Sequence, residues 1–126
     1  MKAPAPADGY VLDVFDPRCP SRSALRDVTG RWGPLILLAM ADGLTRFGDL
    51  HRYIGGSNER MLSKTLSALT THGLVVRTAD SDGRPSYELS PGGREVAVRL
   101  GELRDAIYAH LAESVSPPSH TGPAPR

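Results

Sequence analysis

The sequence contains one cysteine, Cys19, among 126 residues, and it contains no long apolar run. A single cysteine excludes an intrachain disulfide framework and a cysteine-rich zinc site. The longest apolar stretch, LILLAMA, is much shorter than the ~18 residues that span a bilayer, and it predicts a buried helix instead. The N-terminus, MKAPAPADG, lacks the apolar core of a secretion signal. These absences predict a cytoplasmic protein with no membrane partner.

The sequence also lacks the patterns of a catalytic or metal site. No glycine-rich elbow or oxyanion loop accompanies Cys19 and the histidines. The histidines show no metal-ligand spacing beyond Asp49-x-His51; the others are His72, His110 and His120. The sequence therefore predicts no enzyme, no catalytic residues, no metal and no cofactor.

The composition of the two ends differs from that of the middle. Ala and Pro alternate near the N-terminus, and four prolines fall within the last thirteen residues. Such segments cannot bury enough apolar surface to offset the entropy of ordering. We therefore predict disordered tails at residues 1–9 and 114–126 around one folded domain at residues 10–113. The more apolar stretch YVLDVFD, residues 10–16, predicts either a short strand or an arm that packs on a neighbour.

Helix caps and apolar spacing predict four helices in the first part of the domain. Ser21 is a suitable cap for the first helix, and Pro34 favours the start of a second. The second helix is apolar nearly all round and should lie in the middle of the fold. A short helix, FGDLHRYI, then precedes the turn GGS, and Asn58 caps the fourth helix, which Gly73 should end. The buried face of that fourth helix is expected at Leu62, Leu66 and Leu69.

The rest of the domain predicts a β-hairpin and a long final helix. LVVRTA and SYEL flank the turn DSDGRP, and Pro91 starts a helix with a regular apolar seam. The seam consists of Val96, Leu100, Leu103, Ile107 and Leu111. Two helices joined by a tight glycine turn and followed by a hairpin are typical of a winged helix-turn-helix. The predicted fold is mainly α with a small β-hairpin wing (α+β).

The charge distribution favours a polyanionic partner, and the helix-turn-helix pattern makes DNA the predicted one, although a basic stripe alone can be a solvated helix face. The net charge is only +1, but residues 44–78 hold five Lys and Arg against two Asp and Glu. The fourth helix presents Arg60, Ser63 and Lys64 on its outer face, where side chains in the N-terminal half read base edges. Asn58, at the helix start, is expected near a phosphate. Four further arginines are candidates for contact with the DNA phosphates: Arg46, Arg52, Arg77 and the wing-tip residue Arg84. Each could equally be a solvated side chain. Asp80 and Asp82 are expected to weaken the wing contact, because they would face the same phosphates.

Cys19 allows two interpretations. It follows Arg18 and precedes a helix start, and a cation and a helix N-terminus both favour the reactive thiolate. That environment suits a redox sensor. A free cysteine is also commonly a small buried residue at an interface. The residues alone leave both interpretations open.

The sequence resembles the HxlR family of bacterial winged-helix transcription regulators over residues 19 to about 112. The matching pieces are Cys19-Pro20, Gly30-x-Trp32, the block at residues 35–38, Arg46-Phe47 with Leu50, Met61-Leu62, Leu66, Leu69, Gly73-Leu74-Val75 and Tyr87-x-Leu89-x-Pro91-x-Gly93. The resemblance implies a homodimer on pseudo-palindromic DNA, and a cysteine at the Cys19 position that senses oxidants or electrophiles. The sequence departs from the family's usual helix cap at Ser57-Asn58, although Asn caps equally well.

These observations predict a homodimeric regulator, more readily a repressor than an activator. The N-terminal segment, residues 10–30, and the final helix, residues 91–113, should form the dimer. Two rivals remain: a regulator switched by a small molecule in a dimer-interface pocket, and a winged helix that binds proteins and not DNA. Trp32 is expected in the core or in a pocket wall.

Overall fold

The structure, a computed structural model, describes residues 11–114. The helices there are α1 (Pro20–Thr29), α2 (Gly33–Ala41), α3 (Phe47–Tyr53), α4 (Glu59–Thr71) and α5 (Pro91–Ser114), and the strands are β1 (Val75–Ala79) and β2 (Pro85–Leu89). This order confirms the winged helix-turn-helix, mainly α with a small hairpin. The predicted disordered tails lie outside the described residues, except that Ser114 is the last residue of α5 and not the first of a tail.

Helix α2 lies at the centre of the domain, as its apolar sequence predicts. It packs against α1, α3, α4 and α5. Ile36 and Leu37 are completely buried, whereas Leu35 is 41% exposed. The helix is therefore central, as predicted, and its neighbours leave it partly open on the side of Leu35.

Helix α4 begins and packs as predicted. The Asn58 side-chain oxygen accepts a hydrogen bond from the Met61 amide at 3.1 Å, which satisfies one of the unpaired amides of the first turn. The apolar face of the helix, at Leu62, Leu66 and Leu69, is fully buried. The C-cap residue is His72 and not Gly73, which follows with a φ of 78°. The glycine is thus required one residue beyond the cap, where the chain turns left-handed.

Helix α1 starts earlier than predicted. Its N-cap is Cys19, in extended backbone, and Pro20 is the first helical residue. Ser21 is therefore inside the helix and does not cap it; Pro at the first position favours this earlier start because it has no amide to leave unpaired. Residues 11–16 form no strand but run into turns, with the Asp16 amide bonded to the Asp13 carbonyl at 3.1 Å. The strand alternative for this segment is wrong.

The hairpin pairs antiparallel in the register Val75 with Leu89 and Ala79 with Pro85. The Tyr87 amide also donates to the Thr45 carbonyl at 2.8 Å, which ties the wing to the segment before α3. Ser90 bridges to α5 by accepting the Gly93 amide at 2.9 Å. The wing is therefore held at its base from both sides.

The apolar seam of α5 divides into two parts. Val96 and Leu100 pack into the core, but Leu103, Ile107 and Leu111 are about half exposed. A helix of 24 residues extends about 36 Å, farther than the small domain can cover. No helix among residues 11–114 has both the length and the apolar character needed to cross a membrane.

Candidate nucleic-acid interface

The turn between α3 and α4 is fixed by side chains. The Ser57 hydroxyl donates to the His51 carbonyl at 3.0 Å and also contacts Nδ1 of the His51 ring. The other ring nitrogen, Nε2, lies 3.8 Å from a carboxylate oxygen of Glu59 in the first turn of α4. These contacts, absent from the sequence prediction, hold α4 at a defined angle to α3.

The predicted reading surface is on the outside of α4. Arg60, Ser63 and Lys64 are exposed, and residues three and four apart lie on one helical face. Within the described residues, the side chains of Arg60 and Lys64 make no hydrogen bond or ion pair. Their charges are thus available to a partner in solution. Asn58 is at the same end, with its side-chain oxygen engaged in capping.

The wing is organised by Asp80. Its carboxylate accepts the amides of Asp82 at 2.8 Å and Arg84 at 2.9 Å, and it also contacts the Arg46 guanidinium. The Arg84 amide, helped by the Asp82 amide and the nearby Arg46 charge, lowers the pKa of Asp80 below its usual value. The Asp80 carboxylate therefore turns into the wing, towards these partners. The sequence signal was present, since Asp side chains commonly accept an amide two residues on in turns.

The four candidate phosphate contacts have different surroundings. Arg46 contacts Asp80, and Arg52 contacts Asp49 one helical turn away, so each already has a carboxylate partner. Arg77 lies exposed on β1 and Arg84 is exposed in the wing turn. Asp80 contacts both the Arg46 guanidinium and the Arg84 amide, so these two residues lie close together at the wing turn. Arg52 and Arg77 lie on separate elements, α3 and β1.

The sequence did not reveal two basic residues beside α4. Arg26, in the last turn of α1, and Arg31, before α2, line an open groove whose other wall includes Lys64. In the same region the His72 ring donates from Nε2 to Asp27 at 2.7 Å, and this hydrogen bond is the main cause that lowers the pKa of the Asp27 carboxyl. No periodicity signals these contacts, because α1 and α4 meet only in the folded chain.

Cys19 is buried, with 7% of its surface exposed. Its Sγ accepts the Asp13 amide at 3.3 Å and lies 3.1 Å from the Ser21 hydroxyl. Cys19 occupies the N-cap position of α1, without a side-chain capping hydrogen bond, and the unpaired amides and helix dipole there favour negative charge. Cys19 is therefore buried and lies at a helix N-terminus, whereas Arg18, the expected nearby cation, pairs with Asp16.

A helix-turn-helix with an exposed basic and hydroxyl surface and a hairpin wing defines a winged-helix DNA-binding protein. Residues 27–115 match the family model described as HxlR-like helix-turn-helix. The chain is 43% identical over 103 residues to the HTH-type transcriptional regulator YtfH of Escherichia coli K12, covering 80% of this chain and 82% of that protein. The chain therefore belongs to the HxlR family of transcription regulators, which are not enzymes.

Solved structures agree with this assignment. The transcriptional regulator ytfH from Salmonella typhimurium is similar at a TM-score of 0.70 with 40% identity, over 81% of this chain and 93% of that chain. The redox regulator HypR in its oxidised form is similar at a TM-score of 0.62 with 25% identity, over 78% of this chain and 98% of that chain.

Among residues 11–114, no three His, Cys, Asp or Glu side chains form a group able to hold a metal ion.

Proposed function

We propose that this HxlR-family protein binds a pseudo-palindromic operator as a homodimer, represses transcription, and changes its DNA affinity when Cys19 is oxidised or alkylated. The observation that carries the DNA-binding part is the exposed surface of α4. Arg60, Ser63 and Lys64 stand on its N-terminal half without partners among the described residues. In a helix-turn-helix this half of the second helix enters the major groove.

Each proposed contact has a distinct role. Arg60 and Lys64, with Ser63 between them, would read base edges, since Arg matches guanine with two hydrogen bonds. Backbone phosphates would be bound at the start of α4, beside α3, and along the wing; the residues are Asn58, Arg46, Arg52, Arg77 and Arg84. Because Arg46 and Arg52 already contact carboxylates, they should add less affinity than Arg84.

The exposed part of α5 supports a dimer. Leu103, Ile107 and Leu111 recur at steps of four along one side of the helix and are about half exposed. Phe15, in the N-terminal segment, is 72% exposed. Covering such side chains with a second copy removes apolar surface from water, at roughly 25 cal/mol per Å². Two copies of α4 would then reach successive major grooves about 34 Å apart.

Oxidation at Cys19 supplies the proposed switch. The thiolate displaces hydroxide from a peroxide and becomes a sulfenic acid; a second thiol then forms a disulfide and releases water. The second thiol comes from a small-molecule thiol or from Cys19 of the partner. The amide and hydroxyl that contact Sγ stabilise its negative charge. Because Cys19 is only 7% exposed, the chain around it must move for an oxidant to enter.

The DNA-binding proposal is tested by footprinting the reduced protein on the intergenic DNA that flanks its gene. A protected pseudo-palindrome that is lost on peroxide treatment, and retained in Cys19→Ser with peroxide, is the expected result. If the response to peroxide persists in Cys19→Ser, the thiol switch is wrong. If no DNA is protected in either state, the DNA-binding proposal is wrong.

The dimer is tested separately by substitution in α5. Ile107→Glu should convert the dimer to a monomer in size-exclusion chromatography with light scattering. Ala109→Glu adds the same side chain on the opposite side of the helix and should leave the dimer intact. A dimer that survives Ile107→Glu would contradict this interface.

A further inference from the structure

An open groove of about 720 Å³ runs beside the proposed DNA-reading helix. One wall comes from the end of α1 and the start of α2 and includes Arg26, Arg31 and Trp32. The other wall is the flank of α4 that carries Met61, Lys64 and Ala68. The groove lies within one chain, unlike the dimer-interface pocket that the sequence led us to consider.

The charge in the groove is positive. Three cationic side chains line it, Arg26, Arg31 and Lys64. The carboxylate among the lining residues, Asp27, accepts a hydrogen bond from His72 at 2.7 Å and lies 3.5 Å from the Arg26 guanidinium, so the excess charge comes from Arg31 and Lys64. Arg31 is held in place over the Trp32 ring, with its guanidinium carbon 5.0 Å from the ring centroid. An anion entering the groove would therefore meet positioned donors and little repulsion.

The walls between these charges are apolar. Met61 exposes 42% of its surface on this flank of α4, and Ala68 lines the groove beside it. Trp32 also lines the groove but is only 8% exposed, so it adds little open surface. A phosphate backbone gains nothing from such a surface, whereas a flat apolar body would cover it. Small-molecule sites commonly have volumes of about 300–1,000 Å³, mainly apolar walls and a few placed polar groups.

We propose that this groove binds a small aromatic carboxylate, and that its occupancy releases the protein from DNA. The ring lies against Met61 and Ala68, and the carboxylate accepts from Arg31 and Lys64. Lys64 belongs also to the DNA-reading surface, so one side chain serves two anions that exclude each other. By linkage, bound DNA then lowers the affinity for the carboxylate by the same factor as the bound carboxylate lowers the affinity for DNA. The release step rests on the proposed function; the binding step does not.

The binding step is tested by NMR on the ¹⁵N-labelled full chain. The sequence has one tryptophan, so its indole N–H gives a single signal that reports directly on the groove. Titration with 1-naphthoate should shift that signal saturably below about 1 mM, whereas the neutral 1-naphthalenemethanol should bind on the order of tenfold more weakly. An unmoved indole signal, or equal affinity for the neutral alcohol, would overturn the proposal.

A substitution and a DNA titration complete the test. Arg31→Gln should weaken 1-naphthoate about tenfold and leave DNA binding without ligand unchanged. Ala68→Met, which fills the groove while retaining helix propensity, should likewise weaken the ligand. If DNA shifts the indole signal and 1-naphthoate does not, the groove is a DNA contact and the proposal is wrong. If 1-naphthoate binds but leaves a bound operator in place, the release step is wrong; if no DNA binds at all, the proposed function fails while the ligand site stands.

Discussion

Replacing Arg60 by alanine should remove base discrimination without destabilising the fold. Arg60 is exposed and its side chain makes no hydrogen bond or ion pair within residues 11–114, so the free energy of unfolding should change by less than about 0.5 kcal/mol. A bidentate arginine–guanine contact contributes about 1–3 kcal/mol of discrimination. A dimer carries two copies, which gives about 2–6 kcal/mol, or roughly 30-fold to 10⁴-fold in the ratio of specific to non-specific affinity.

The assay is fluorescence anisotropy with the footprinted operator and with a scrambled duplex of equal length, at several salt concentrations. Arg60→Ala should lower the operator affinity by the factor above and the scrambled affinity far less. Arg99→Ala, on α5 and already paired with Glu95 and Glu102, removes the same charge and should preserve the ratio. An unchanged ratio in Arg60→Ala would refute the assignment of α4 as the reading helix.

Three further substitutions test the scaffold. Gly93→Ala would place a methyl carbon 1.9 Å from a backbone carbonyl oxygen and should lower the free energy of unfolding in urea by about 1–3 kcal/mol or more, whereas Gly92→Ala, with 3.8 Å of room, should not. The pKa of Asp27 is lowered by its bond from His72, so its stabilisation is present above pH 3.8 and is lost as the pH falls through the lowered pKa. In Asp27→Asn, the free energy of unfolding in urea should therefore fall less steeply than in wild type as the pH drops below 3.8. The difference should be less than about 1 kcal/mol, because solvent screens the pair. Asp80→Ala should speed hydrogen exchange of the wing amides and weaken operator binding, while Asp80→Asn keeps an acceptor and should lose less; equal exchange in both variants and wild type would contradict its role in the wing.

The sequence was sufficient where local chemistry decides the structure. Asn58 caps α4, and the spacing of Leu62, Leu66 and Leu69 is an inherent property of a helix with one buried face. The hairpin follows in the same way from an Asp-Gly turn between two β-branched or aromatic segments. In these elements the nearest neighbours in sequence are also the interaction partners, so a pattern can identify them.

The sequence was insufficient where distant residues meet. Arg46 and Asp80 are 34 positions apart, and Asp27 and His72 are 45 apart. Such contacts depend on how the helices pack, and no local pattern encodes them. The seam of α5 illustrates a further limit: spacing predicted one continuous apolar row, but the size of the domain decides how many of its members are covered. The prediction of where α1 begins was wrong for a simpler reason. Ser21 favours a cap at its own position, whereas Pro20 favours the first helical position, and the helix follows Pro20.

Helix α1 connects the candidate switch to the candidate reading surface. Cys19 occupies its N-cap position, and Asp27, in its last turn, contacts His72 at the C-cap of α4. The ten residues of α1 span about 15 Å between these two points. The groove lined by Arg31 and Lys64 adjoins the same end of α1. Modification of the thiol, under the proposed function, and occupancy of the groove, under the further inference, would therefore both act on α4, which itself packs against β1 of the wing.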